Sequence, residues 1–306
     1  MVATAQLALG SAQWGMTYGV ANRTGQPTVD EIRRLLGLAF NADIRTIDTA
    51  RGYGSSEEII GELVGANPAW TVMTKLSADL PLQGAATADI VQLVRRSLEE
   101  SHRALRRDCL DVVLLHRPAH RSLGDGAVWR ELLAQRDAGH VNKLGVSVVS
   151  PHEAEALLGD PDVSVVQAPC NLLDQRLVRS GLLSRLQAAG KTVVIRSIFL
   201  QGTAHLGWAG LPPWLRTHAA ELREPLSRIE SWCTARSLAL ADPFLVFGLG
   251  LRGTVVLIGC ETAGQIAAAL RTCQTAGPLL GSVTCLASEI PDLPEQALNP
   301  AFWPKA

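Results

Sequence analysis

Two kinds of pattern alternate along the chain. Short runs of β-branched and apolar residues recur at 7–9, 45–47, 71–74, 111–115, 144–148, 164–167, 192–195 and 254–258. A strand with one wet face alternates apolar and polar positions, whereas a parallel strand covered on both faces reads as an unbroken apolar run, and most of these eight are unbroken. Between them, apolar residues return every three or four positions. In 30–41 they are Ile32, Leu35, Leu36 and Ala39; in 87–105 a stripe of Ile90, Leu93, Val94, Ser97, Leu98 and Ser101 runs opposite Arg95, Arg96, Glu99 and Glu100. Both spacings predict amphipathic helices.

Strands alternating with helices predict an α/β protein with a parallel sheet. Several intervals are about 30 residues, the size of one strand–helix unit. Eight such units in a chain of 306 residues predict a closed (β/α)8 TIM barrel, a single domain over 1–306. The interval from 195 to 254 is too long for one crossover. It holds Gly202, Gly207, Gly210, Pro212 and Pro213, then a helical pattern over 218–236, which predicts an extended loop followed by two helices.

Composition narrows the function classes. The chain is 47% hydrophobic and 19% charged, with a net charge of −1. That excludes a disordered chain and gives no electrostatic footprint for nucleic acid. Cys109, Cys170, Cys233, Cys260, Cys273 and Cys285 form no C-x-x-C pair, so reduced, mostly buried thiols are expected rather than a disulfide framework or a metal site. Residues 1–10 lack the basic start of a signal peptide, and the apolar stretch 239–251 is too short to span a bilayer and is broken by Asp242 and Pro243. A cytoplasmic protein with neither nucleic-acid nor membrane partners is expected.

In such a barrel the working face lies at the C-terminal ends of the strands. Asp48 follows the second predicted strand, Lys75 the third and His116 the fourth. With neighbouring strands about 4.8 Å apart, these side chains should gather within ~5–10 Å. Tyr53 lies on a Gly-flanked loop five residues beyond Asp48 and can fold back over them. It is one of two tyrosines, and Lys75 is one of four lysines against 24 arginines. A compact ammonium can stabilise a phenolate, which makes a tyrosine a usable proton donor to a nascent alkoxide. Asp48 would hold the ammonium charged and His116 would orient the substrate oxygen; hydride must come from a cofactor.

Leu9-Gly-Ser-Ala-Gln-Trp-Gly15, Ile47-Asp-Thr-Ala-Arg-Gly-Tyr-Gly-Ser-Ser-Glu57, Met73-Thr-Lys75 and Leu115-His-Arg-Pro118 resemble the aldo-keto reductase family. Gly145-Val-Ser147, the segment from Gln167 to Arg176 and Ser197-Ile-Phe-Leu-Gln-Gly202 extend the likeness along nearly the whole chain. The resemblance implies carbonyl/alcohol interconversion with NADP(H) or NAD(H), and a catalytic tetrad of Asp48, Tyr53, Lys75 and His116. It also implies a nicotinamide site at Ser147 and Gln167, with Arg196 and Ser197 where relatives stack an aromatic ring. Gly259, Thr262 and Gln265 would meet the adenosine phosphates, on the N–H groups that open the last helix.

This chain departs from the family pattern at Val148, where an Asn usually follows the Ser. It departs again at Glu261, in a segment that is usually basic. Cofactor preference therefore stays open. Trp14 and Tyr18 are candidate pocket walls or packing residues, and Arg117 would meet either an anionic substrate or a surface carboxylate. Asn171, Asp174 and Arg176 read as a loop-locking network. Gly248-Leu-Gly-Leu-Arg-Gly253 spells G-x-G-x-x-G but precedes a strand instead of following one. Gly190-Lys-Thr192 lacks the first glycine of a P-loop, and Pro118 argues against a helical metal pair of His116 and His120. Two rival functions remain: a nucleotide-sensing module with little catalysis, and a lyase or isomerase using Lys75 as a Schiff base.

Overall fold

Residues 5–304 are described by a computed structural model. Eight parallel strands close into a barrel in sequence order: β1 Gln6–Gly10, β2 Thr46–Asp48, β3 Thr71–Lys75, β4 Leu110–Leu115, β5 Val141–Ser147, β6 Val165–Pro169, β7 Thr192–Arg196 and β8 Val255–Gly259. The ring shuts where β1 pairs with β8 from Gln6↔Val255 through Gly10↔Gly259. Each crossover carries a helix: α1 Val29–Asn41, α2 Ser56–Leu63, α3 Thr87–Leu105, α4 Leu123–Asp137, α5 Pro151–Glu155, α6 Leu182–Ala188, α7 Arg223–Thr234 with α8 Asp242–Gly250, and α9 Ala263–Glu289. The predicted (β/α)8 barrel is the observed fold.

Local chemistry explains the helix ends. Thr28 caps α1 by accepting from the Glu31 N–H, and Asp30 and Glu31 place negative charge in the first turn. The α3 stripe is buried at Ile90, Val94, Ser97, Leu98, Ser101 and Leu105, and the helix stops where Arg106 turns left-handed. Between β7 and β8, two short helices at Thr203–Gly210 and Pro213–His218 precede α7 and α8. The expected loop is thus partly helical. The G-x-G-x-x-G segment joins the end of α8 to β8, the reverse of a dinucleotide fingerprint.

Two apolar layers hold the barrel. Ala8, Met73, Val112, Leu114, Val165, Val194 and Leu257 fill its interior. Strand outer faces and helices form a larger core around residues such as Leu35, Ile90 and Val113. A second core, built from the β7–β8 insertion, the far half of α9 and the C-terminal segment, includes Leu215, Phe244, Leu286 and Trp303. All six cysteines are free, yet only Cys170, Cys233 and Cys260 are buried while Cys109 and Cys285 are exposed. The expectation of mostly buried thiols therefore holds for half of them. Among the described residues no helix is long and apolar enough to cross a membrane.

Candidate active site

Strand parity selects the side chains at the barrel mouth. Alternate residues point inward, so the positions above the interior layer are Gly10, Lys75, His116, Gln167, Arg196 and Gly259. Register adds Asp48, opposite Gly10 and Met73, and Ser147, opposite Gln167.

Lys75, 1% exposed, sits at the centre. Its Nζ donates to Asp48 Oδ1, to Asp48 Oδ2 and to the Thr49 carbonyl, each at 2.8 Å. Burial alone would push the ammonium down, but Asp48 and Tyr53 beside it outweigh burial and hold it above the ordinary lysine value. A charged, triply bonded amine has no lone pair for Schiff-base chemistry. Lys75 Nζ lies 4.9 Å from the centre of the Tyr53 ring, which meets the His116 ring edge-on at 5.8 Å. Burial, followed by the positive charges of Lys75, Arg196 and Arg117, lowers His116 to about 3. The imidazole is neutral at physiological pH, and its Nδ1 is buried with no partner.

The loop carrying Tyr53 is pressed onto the segment after β1. A Cβ on Gly15 would lie 1.8 Å from the Tyr53 carbonyl oxygen; one on Gly54, whose φ is +57°, would lie 2.1 Å from the Gly15 carbonyl. Only glycine permits that approach. Beneath it the Ser11 hydroxyl donates to the Asp48 carbonyl at 2.9 Å, and the Thr49 hydroxyl donates to Ser56 Oγ at 3.0 Å. Glu57, fully buried, accepts from Arg51 and from the Thr74 hydroxyl. This polar floor braces β2 and β3 where Asp48 and Lys75 emerge. The sequence reading missed it because Ser56 and Glu57 look like an ordinary acidic helix start.

A nicotinamide cofactor would meet the other half of the mouth. The Ser147 hydroxyl donates to Gln167 Oε1 at 3.1 Å, and Gln167 Nε2 donates to Asp48 Oδ1 at 2.7 Å. Both side chains are buried, so one polar row runs from β5 to the Asp48–Lys75 pair. Gly10 and Gly259 lie side by side and face inward. The Gln13 amide covers Gly259, its Nε2 2.8 Å from where a Cβ would be, while Gly10 meets only backbone at 3.8 Å or more. The polar row and the side-chain-free Gly10 position fit a flat amide-bearing ring, and nothing in the one-dimensional pattern pointed to Gln13.

The chain matches the Aldo/keto reductase family over residues 6–276. It belongs to that family. Relatives include the 6-dehydroglucose reductase of Novosphingobium aromaticivorans, 29% identical over 54% of this chain and 59% of that protein. The aldo-keto reductase YhdN of Bacillus subtilis is 29% identical over 57% of this chain and 51% of its own length. The chain thus spans little more than half the length of these curated relatives. In fold it resembles the glycerol dehydrogenase of Gluconobacter oxydans, with a TM-score of 0.68 at 21% identity over 94% of this chain and 93% of that one.

The open readings of Trp14 and Arg117 resolve to packing and a surface carboxylate, and the expected roles of the α9 N-terminus and Arg196 need correction. Trp14 is not a pocket wall: it is 0% exposed, and its indole N–H donates to the Cys260 carbonyl at 3.0 Å, so it packs below the mouth. Arg117 pairs at 3.2 Å with Asp79 on the surface, 58% of its side chain being exposed. Most of the N–H groups at the start of α9 are already taken, that of Gly264 excepted. Thr262 and Gln265 form a capping box, Gln265 Oε1 accepts from the Glu261 N–H, and Glu31 Oε1 accepts from the Ala263 N–H at 2.6 Å. Arg196 is folded back, donating to the Val148 carbonyl and to Ser197 Oγ, while the Val148 side chain is buried.

Tyr18 does border the site. The residue is 37% exposed, Gln201 Nε2 donates to its hydroxyl at 3.4 Å, and desolvation of that hydroxyl, with Tyr53 nearby, raises it above the usual tyrosine value. Asn171 and Asp174 are structural as expected. Asn171 Nδ2 donates to the Ser197 carbonyl, and Asp174 receives a bidentate Arg176.

Proposed function

We propose that this chain is an NAD(P)(H)-dependent oxidoreductase that interconverts an aldehyde or ketone with its alcohol, working as one barrel domain over 1–306. The observation that carries the reading is the buried Asp48–Lys75 pair lying under Tyr53 and beside a neutral His116. The cofactor, when bound along Ser147, Gln167 and Gly10, supplies or accepts hydride. Tyr53 gives a proton to the carbonyl oxygen as it becomes an alkoxide, and takes it back in the reverse direction. Lys75 stabilises the phenolate that Tyr53 becomes, and Asp48 with the Thr49 carbonyl keeps Lys75 charged and fixed. His116, carrying one ring proton and no charge, donates a hydrogen bond to the substrate oxygen and orients it. Tyr18 and Gln201 form the outer wall of the substrate entrance.

A carbonyl panel assayed with NADH and NADPH tests the reading. Tyr53→Phe lowers turnover by roughly 10²–10⁴, while cofactor affinity followed by tryptophan fluorescence stays within about twofold. Unchanged turnover in Tyr53→Phe would end the assignment. The engagement of Gln167 with Asp48 and the loss of Asn at Val148 favour one second reading, a nucleotide-sensing module; tight cofactor binding with no turnover across the panel is its signature.

A further inference from the structure

Barrels of this class commonly hold phosphate in the loops after β7 and β8 and on the N-terminus of the helix that follows. In this chain that place already holds carboxylates of its own. Glu31, from the first turn of α1, reaches across to accept the Ala263 N–H of α9, while Glu261 stands immediately before the helix with burial raising its carboxyl above the ordinary range. The N–H groups of Glu261 and Thr262 are taken by Gln265 Oε1, and that of Gln265 by the Thr262 hydroxyl. Among the described residues the one cation paired with these carboxylates is the exposed Arg34, which binds Glu31 Oε2 at 3.0 Å. A carboxylate at a helix N-terminus satisfies both the unpaired donor and the positive end of the dipole. A second anion at the Ala263 N–H must displace Glu31 from it and from Arg34, with the Glu261 carboxylate carried only two residues before it. A ribose bearing free hydroxyls carries no such conflict, because hydroxyls donate to carboxylates.

We infer that Glu31 and Glu261 make this site select NAD(H) over NADP(H), by filling the place of the ribose 2′-phosphate with the protein's own negative charge. This rests on the oxidoreductase reading and deepens it: Glu31 becomes a specificity-determining residue, far in sequence from the segment it guards.

Binding, not turnover, is the readout. Intact protein is titrated with NADH and with NADPH by tryptophan fluorescence and calorimetry. In the unsubstituted chain NADPH binds at least about tenfold more weakly than NADH. Glu31→Ala combined with Glu261→Ala closes that gap to about threefold or less, with NADPH binding tightened and NADH binding unchanged or weakened. Glu31→Gln, which keeps the acceptor but removes the charge, gives an intermediate ratio. Melting curves show that each variant is folded. Equal or tighter NADPH binding by the unsubstituted protein overturns the inference while the oxidoreductase reading stands. So does an unchanged ratio in the folded double variant. Absence of binding by either cofactor overturns both.

Discussion

Burial and three nearby cations keep His116 neutral down to about pH 3, which suits the proposed hydrogen-bonding role and not that of a proton reservoir. The linkage has a definite sign. The unfolded imidazole takes up its proton near pH 6.5 and the folded one does not, so the contribution is intact above pH 6.5. It is lost progressively as pH falls toward about 3, at up to ~1.4 kcal/mol per pH unit. Urea unfolding followed across this range should show a shallower acid loss in His116→Asn than in the unsubstituted chain. The C2 proton resonance of His116 should not move between pH 8 and 5. Asp48, Lys75 and His116 were legible in the sequence because strand parity and the C-terminal rule leave few places for polar residues to converge. Glu31, Glu57 and Gln13 were not. Each acts through a contact made across the fold, and Glu31 in the sequence is indistinguishable from any acidic residue in a helix's first turn. Trp14 stays open in the sequence for a related reason: an aromatic after β1 is compatible with either wall or core, and only the Cys260 carbonyl beside its N–H decides.

At the level of elements, the position of Tyr53 depends on two glycines pressing one loop onto another. Gly54→Ala must either open the Gly15 contact or strain a left-handed backbone that L side chains seldom adopt. Turnover should fall by about tenfold or more, while the melting temperature drops only as far as ~1–3 kcal/mol of local strain requires. Thermal unfolding and kcat measured on the same preparation check this; full turnover in Gly54→Ala would mean that Tyr53 does not rely on the contact. Element boundaries were readable where pattern and capping agree. Helix α3 runs over 87–105 as its stripe predicts. β5 begins at Val141, three residues earlier than expected, because Asn142 and Lys143 are exposed at the far rim of the barrel while Val141 and Lys143 still pair with β4. An apolar-run criterion does not see such residues.

Across the whole molecule, the barrel core and the second core are two clusters that meet at Phe199, Phe247 and Leu249. The family match ends at residue 276, near Pro278 inside α9, and beyond that point Val283, Leu286 and Ala287 pack into the second core with Trp303. Trp303→Ala should cost about 3 kcal/mol, the low end for a buried aromatic, because its indole N–H has no partner to lose. Urea denaturation measures the loss, and turnover in the absence of denaturant should be nearly unchanged; a large drop in turnover would show that the two halves are coupled. The chain order of the ring also has a bearing on synthesis. The first strand finds its second neighbour only in the last, so the cylinder cannot shut until the ribosome has delivered residue 259. For on the order of tens of seconds the nascent chain carries an open edge strand at each end of its growing sheet. Chaperone capture of stalled chains truncated before β8, and its release once β8 has emerged, would be the cellular trace of that delay.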